Sequence, residues 1–135
     1  EKMKEVKSKI TRGLPFGARI EACDNSGAKL IRLFSVKNMK TRKGRLQAAG
    51  IGDLIKCTVK KGKPDMRKKV VWAVIVRTKK SFRRANGKRI KFEDNAVVVL
   101  KDEKGTPKGT IIKGPIAKEV ALRWPTIAKI ANSIL

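Results

Sequence analysis

The chain has 135 residues, 41% of them apolar, with 35 Lys and Arg against 11 Asp and Glu, a formal net charge of +24. One domain with a modest core fits that length, and the apolar content excludes a disordered basic tail. So large an excess of one sign opposes compaction unless a polyanion relieves it, which makes nucleic acid the expected partner.

No membrane partner is expected. The longest apolar run, VVWAVIV from Val70, is far too short to span a bilayer, and no amphipathic basic helix stands out. Cys23 and Cys57 are too few for a disulfide scaffold and, with no histidine in the chain, complete no usual zinc set. Both read as reduced core residues of an intracellular protein, and neither metal nor cofactor is expected.

Residues 1–13 are polar and lysine-rich, a basic arm or short edge strand without the apolar segment of a secretory signal. ARIEAC then alternates Ala18, Ile20 and Ala22 against Arg19, Glu21 and Cys23, and DNSG at Asp24 to Gly27 predicts a turn. AKLIRLFSV, ending at Val36, is the second strand. KNMKTRKGR follows as a basic loop carrying Lys40, Arg42, Lys43 and Arg45. After GIGD a third strand turns Ile55, Cys57 and Val59 inward and Lys56, Thr58 and Lys60 outward. A second basic turn holds Lys60, Lys61, Lys63, Arg67, Lys68 and Lys69. VVWAVIV is a fourth strand, buried on both faces or closing a barrel. Ala96 to Leu100 is the fifth. Five short strands at these intervals predict a mainly β fold, a small five-stranded β-barrel with short C-terminal helices. Pro115 stands where a first helical position tolerates it, with Ile116, Val120 and Trp124 on one face and Pro125 as the stop. One domain, 1–135, then divides into the arm at 1–13, the barrel at 14–102 with a ribbon at 77–91, and a C-terminal part at 103–135.

The ribbon, RTKKSFRRANGKRIKFEDNA, holds eight Lys or Arg and no acid in its first fifteen residues. With Asn86-Gly87 as a two-residue type I′ loop, Arg84 faces Arg89 at the tip, while Lys80 and Lys79 face Glu93 and Asp94 near the barrel. Two unit charges about 4 Å apart in water repel by about 1 kcal/mol, as much as one good cross-strand pair contributes. A phosphate beside the two guanidiniums would turn that repulsion into charge-assisted hydrogen bonding. The competing reading is a solvated ribbon with scattered charges. Phe82 either stacks on a base or packs across its own hairpin. With 4% aromatics, recognition is expected to lean on phosphates and RNA shape.

Catalysis finds no footing. The adjacent acids Glu93-Asp94 are explained by cross-strand cations, and Asp102-Glu103 is a solvated loop pair or a Mg²⁺ bridge to phosphates. Neither a phosphate-binding glycine loop nor a nucleophile-base set can be assembled. A regulatory single-strand-binding barrel remains a rival, opposed by the sparse aromatics.

The segment AVIVRTKKSFRRANGKRIKFEDNAVVV, Ala73 to Val99, resembles the signature of the universal ribosomal large-subunit protein L-fourteen family. DNSGA from Asp24, GIGD from Gly50 and GTIIKGPIAKE from Gly109 add to the resemblance, which runs from about Leu14 to the end. KKGKPDMRKKV and LRWP look like the archaeal and eukaryotic branch, more the eukaryotic side. The resemblance implies a structural, non-enzymatic component of the large subunit in the cytoplasm: a five-stranded barrel with a projecting β-ribbon, bound to ribosomal RNA at the intersubunit face. Its implied partners are ribosomal RNA, neighbouring large-subunit proteins, small-subunit RNA across a bridge and a subunit anti-association factor. On this sequence the RNA-contact candidates are the two basic loops and, on the ribbon, Arg77, Lys79, Lys80, Arg83, Arg84, Lys88 and Arg89. Protein and factor contacts fall on the C-terminal part, at Lys118, Arg123 and Lys129.

Overall fold

The computed structural model describes residues 10–37 and 47–135. Its strands are β1 (Leu14–Pro15), β2 (Arg19–Ala22), β3 (Ala28–Val36), β4 (Ala48–Ala49), β5 (Leu54–Gly62), β6 (Val70–Arg77), β7 (Phe82–Arg83), β8 (Arg89–Ile90), β9 (Ala96–Leu100), β10 (Pro115–Ile116) and β11 (Ser133–Ile134). Two short helices, α1 (Lys118–Arg123) and α2 (Pro125–Ala128), precede β11. Among the described residues no helix is long and apolar enough to cross a membrane.

The five longer strands close into a barrel in the order β2-β3-β5-β6-β9, and the parallel pairing of β2 with β9 makes the closure. Alternation decides what enters it, because side chains two apart share a face. Across the barrel Ile20 lies opposite Ile31 and Ile31 opposite Val59, with Leu33 opposite Cys57 and Ile55 opposite Ala73 in neighbouring rows. All of these are buried. The expected alternation holds through β5 but slips at the end of β2. There Cys23 is buried too, its backbone N–H donating to the Val97 carbonyl at 3.0 Å.

The outer faces of β6 and β9 are covered as well, which is why these two strands are nearly continuous in apolar residues. Ile112, Ile116, Val120, Trp124 and Ile127 of the C-terminal segment are all buried, and the Ala117 N–H donates to the Val76 carbonyl at 3.2 Å. The expected helix from Pro115 is corrected here. Pro115 and Ile116 are extended and pair in parallel with Ser133 and Ile134, and the helix begins only after Ala117. Their carbonyls are taken across the fold, Pro115's by Arg77 and Ile116's by the Leu135 N–H, so neither is available to a helical turn. The four-residue spacing of Ile116, Val120 and Trp124 still marks the packed side. Pro125 ends α1 and occupies the first turn of α2, where its missing N–H costs nothing.

Burial pushes the Cys23 thiol up to about 11, with Arg77 partly offsetting the desolvation, and the Cys57 thiol up to about 12. Neither sulfur is an available nucleophile in the folded chain. A thiol-reactive disulfide reagent at mildly alkaline pH is expected to label neither cysteine of the native protein and both after urea denaturation. Rapid labelling of Cys57 in the native state would contradict this core.

Candidate nucleic-acid interface

Two of the candidate groups, the 60–69 turn and the ribbon, lie at opposite ends of β6. β6 leads from the turn at 60–69 to the ribbon, and its eight residues span roughly 23 Å at 3.3 Å per step. In the turn, Met66 is buried and fixes the backbone, with the Lys63 carbonyl accepting the N–H groups of Met66 and Arg67 at 2.9 and 3.1 Å. Lys60, Lys61, Lys63, Arg67, Lys68 and Lys69 all stay exposed around that anchor. Lys40, Arg42, Lys43 and Arg45 lie outside the described residues, as does the arm at 1–9.

The ribbon forms, but in a different register. Phe82 pairs with Ile90 and Arg83 with Arg89. The loop is three residues long: the Arg84 N–H donates to the Lys88 carbonyl at 2.8 Å, and the Gly87 N–H donates to the Arg84 carbonyl at 2.9 Å. Gly87 alone takes a positive φ, +88°, whereas a type I′ loop would need it at Asn86 as well. Asn86 instead accepts the Lys88 N–H on its side-chain oxygen at 3.0 Å. The one-residue shift replaces the expected Arg84–Arg89 opposition with Arg83–Arg89 and sends neighbouring side chains to the other face. Phe82 is buried, so it packs rather than stacks on a base.

Arg84 is consequently held inside the protein. Its Nε and Nη2 donate to the two carboxylate oxygens of Glu119 at 3.0 and 3.2 Å, and Nη2 also donates to the Leu135 carbonyl. Glu119 is buried, so this pair is desolvated and bidentate. Arg77 is likewise internal. It donates to both oxygens of Asp94, at 2.8 and 3.1 Å, and through Nη1 to the carbonyls of Lys113 and Pro115, at 2.8 and 2.9 Å. A β-carbon on Gly114 would come within 2.6 Å of that nitrogen, so the glycine is what lets the guanidinium in. Asp94 is therefore neutralised by Arg77, not by Lys79 as expected; the Lys79 N–H donates to the Asn95 side chain. Arg123 reaches Asp53 at 3.3 Å.

Once these three arginines are accounted for, Lys79, Lys80, Arg83, Lys88 and Arg89 remain exposed on the ribbon, with Lys118 and Lys129 exposed on the C-terminal segment. Neither Arg83 nor Arg89 has a carboxylate within 4 Å among the described residues.

The short motifs turn out to brace one another. The Asn25 side-chain oxygen accepts the N–H groups of Thr110 and Ile111, at 2.7 and 3.2 Å, tying DNSGA to GTII. The Asp24 carboxylate accepts the Val99 N–H and the Ser26 hydroxyl, at 3.0 and 2.8 Å, and burial still raises its pKa. In GIGD, Asp53 accepts the Gly50 N–H at 2.8 Å, and the Gly52 carbonyl accepts the Trp124 indole N–H at 2.8 Å. Among the described residues no three His, Cys, Asp or Glu side chains are grouped to hold a metal ion. Sequence reasoning missed Glu119 and Asn25. The only sequence signal for Glu119 was an acid inside an otherwise basic and apolar stretch.

Residues 13–135 match the family model described as ribosomal protein L14p/L23e. The chain is 59% identical over 133 residues to a protein of Nanoarchaeum equitans named large ribosomal subunit protein uL14, covering 98% of this chain and 100% of that one. Proteins of the same name from Methanococcus vannielii and Picrophilus torridus are each 50% identical, over 132 and 133 residues, covering 98% of this chain and 99% and 100% of theirs.

Removing one partner of a buried ion pair leaves the other uncompensated. Arg84→Met and Glu119→Gln are each expected to destabilise the fold by about 3 kcal/mol in urea denaturation. The double variant should lose less than the sum, by about 1–3 kcal/mol. Strict additivity would show that the two side chains do not interact.

Proposed function

The chain belongs to the ribosomal protein L14p/L23e family, and from that premise we propose that this structural constituent of the large ribosomal subunit binds ribosomal RNA through the exposed cations at the two ends of β6. Like its family it carries out no turnover; its work is to neutralise phosphates and hold RNA geometry. The observation that carries the RNA reading is the Arg83–Arg89 pair, two guanidiniums directly opposed on an exposed ribbon with no carboxylate within 4 Å among the described residues. Like charges in that position oppose folding of the free ribbon and favour a bound phosphate.

Lys79, Lys80, Lys88 and the cations of the 60–69 turn extend the RNA surface, and Lys40, Arg42, Lys43 and Arg45 belong to it on sequence alone. Arg77 and Arg84 leave the contact set, because their donors are engaged within the chain. The same proposal puts the protein at the intersubunit face, with small-subunit RNA across a bridge. Neighbouring proteins and an anti-association factor would meet the C-terminal segment, where Lys118 and Lys129 stand near exposed Leu122, Ile134 and Leu135 in sequence. Arg123 is not free for such a contact, since it holds Asp53.

With about eight phosphates neutralised, log K for large-subunit RNA should fall with log salt at a slope of roughly −6 to −7. Arg83→Glu combined with Arg89→Glu should weaken filter binding and make that slope shallower by roughly 1.5–2, with the thermal melt preserved because both side chains are exposed. An unchanged affinity and slope would remove the ribbon from the interface.

A further inference from the structure

The chain has four Phe, two Trp and no Tyr. Phe82, Phe92 and Trp124 are in the core; the other three are not. Phe16 is 39% exposed, and Phe34 and Trp72 are half-buried. The strand register puts Phe34 and Trp72 on one outer wall of the barrel, made by β2, β3, β5 and the start of β6, and Phe16, in the turn before β2, meets that wall at Arg32. A β-bulge sets Phe34 and Ser35 against Lys56, and Lys56 lies opposite Trp72. In the next row Arg19 lies opposite Arg32, and Arg32 opposite Thr58.

Two of the three rings, Phe16 and Trp72, carry cations. The Arg32 guanidinium lies 5.5 Å from the centre of the Phe16 ring, and the Lys56 and Lys37 ammoniums lie 5.1 and 5.9 Å from that of Trp72. Lys37 is also paired with Glu103 at 2.8 Å at the edge of the wall, and Glu21 follows two residues after Arg19 on the same strand face. Four cations against two acids leave the wall positive. The C-terminal segment covers the outer faces of β6 and β9, not this one: Val70, opposite Thr58, is 55% exposed.

From this wall we propose a binding site for an unpaired RNA segment, its bases stacking on Trp72 and Phe16 and its phosphates meeting Arg19, Arg32 and Lys56. The inference rests on the RNA-binding reading and adds to it a second mode of contact. Aromatic rings beside cations suit unpaired nucleotides, which offer a free π-face and a phosphate one bond-chain away, whereas paired bases are already stacked on each other. An acidic protein surface would satisfy the cations but offer no flat face to stack on the rings.

Intrinsic fluorescence separates the cases, because Trp124 is buried with its indole N–H bound to Gly52 and Trp72 is the indole a ligand can reach. A short single-stranded oligoadenylate should quench Trp72 emission of the full chain, and an RNA duplex of matched charge should not. Trp72→Ala should lower oligoadenylate affinity roughly tenfold with the salt slope unchanged, while Trp72→Phe stays close to wild type. Binding without quenching in the unaltered protein overturns the wall site and leaves the ribbon reading standing. So does an affinity unmoved by Trp72→Ala, or one no greater than for an oligoglutamate of equal charge. Failure of the unaltered chain to bind any RNA overturns both.

Discussion

Arg77 is the joint on which the rest of the molecule turns. It ends β6, grips Asp94 on the return from the ribbon, and donates to two carbonyls of the C-terminal segment. A guanidinium presents its donors in a fixed fork, so these four hydrogen bonds set the direction of three chain segments at once. A buried charge of this kind is tolerable only when fully partnered, and each carbonyl left without its donor would cost about 1–3 kcal/mol. From this joint follow the ribbon's base, the extended course of Pro115 and Ile116, and the cover over β6 and β9.

A net charge of +24 poses a problem that the fold answers by sorting its cations. Arg77, Arg84 and Arg123 each take a carboxylate, Asp94, Glu119 and Asp53; the last two pairs tie the C-terminal segment to ribbon and barrel, and the first fixes the base of the ribbon. Among the described residues what is left exposed is mostly positive, with Glu21, Asp65, Glu93, Asp102 and Glu103 as the exposed acids. Those three paired acids therefore serve the scaffold, and the unneutralised lysines and arginines of turn and ribbon stand where a polyanion would relieve their repulsion. Glu119 shows the economy of this arrangement: one buried carboxylate anchors the ribbon tip from the opposite side of the chain.

The barrel wall follows from the same division of labour. A closed five-stranded barrel fills its inside with alternate side chains and must present the others outward. Where the C-terminal segment lies, those outward positions are apolar and buried. Elsewhere they are Arg19, Arg32, Lys56, Phe34 and Trp72, a mixture that would be poor packing for a core and is suited to a ligand having both charge and flat apolar faces.

The barrel was legible in the strand pattern. A period-two pattern is local, which is why β3 from Ala28 to Val36 and β9 from Ala96 to Leu100 were legible to the residue, as was the inward placing of Cys57. The sequence by itself also determined the excess charge and, through motifs spread along the chain, the family resemblance. The ribbon's register came from tertiary contacts, because Asn86-Gly87 suits a two-residue and a three-residue loop alike, while the choice is coupled to Phe82 entering the core and Arg84 reaching Glu119, thirty-five residues away. Tertiary structure decided the fate of Pro115 for the same reason: a proline that could open a helix is instead held extended by partners at Arg77 and Ser133. Which arginines are scaffold and which are free depends on where distant carboxylates and carbonyls arrive, and no spacing along the chain encodes that.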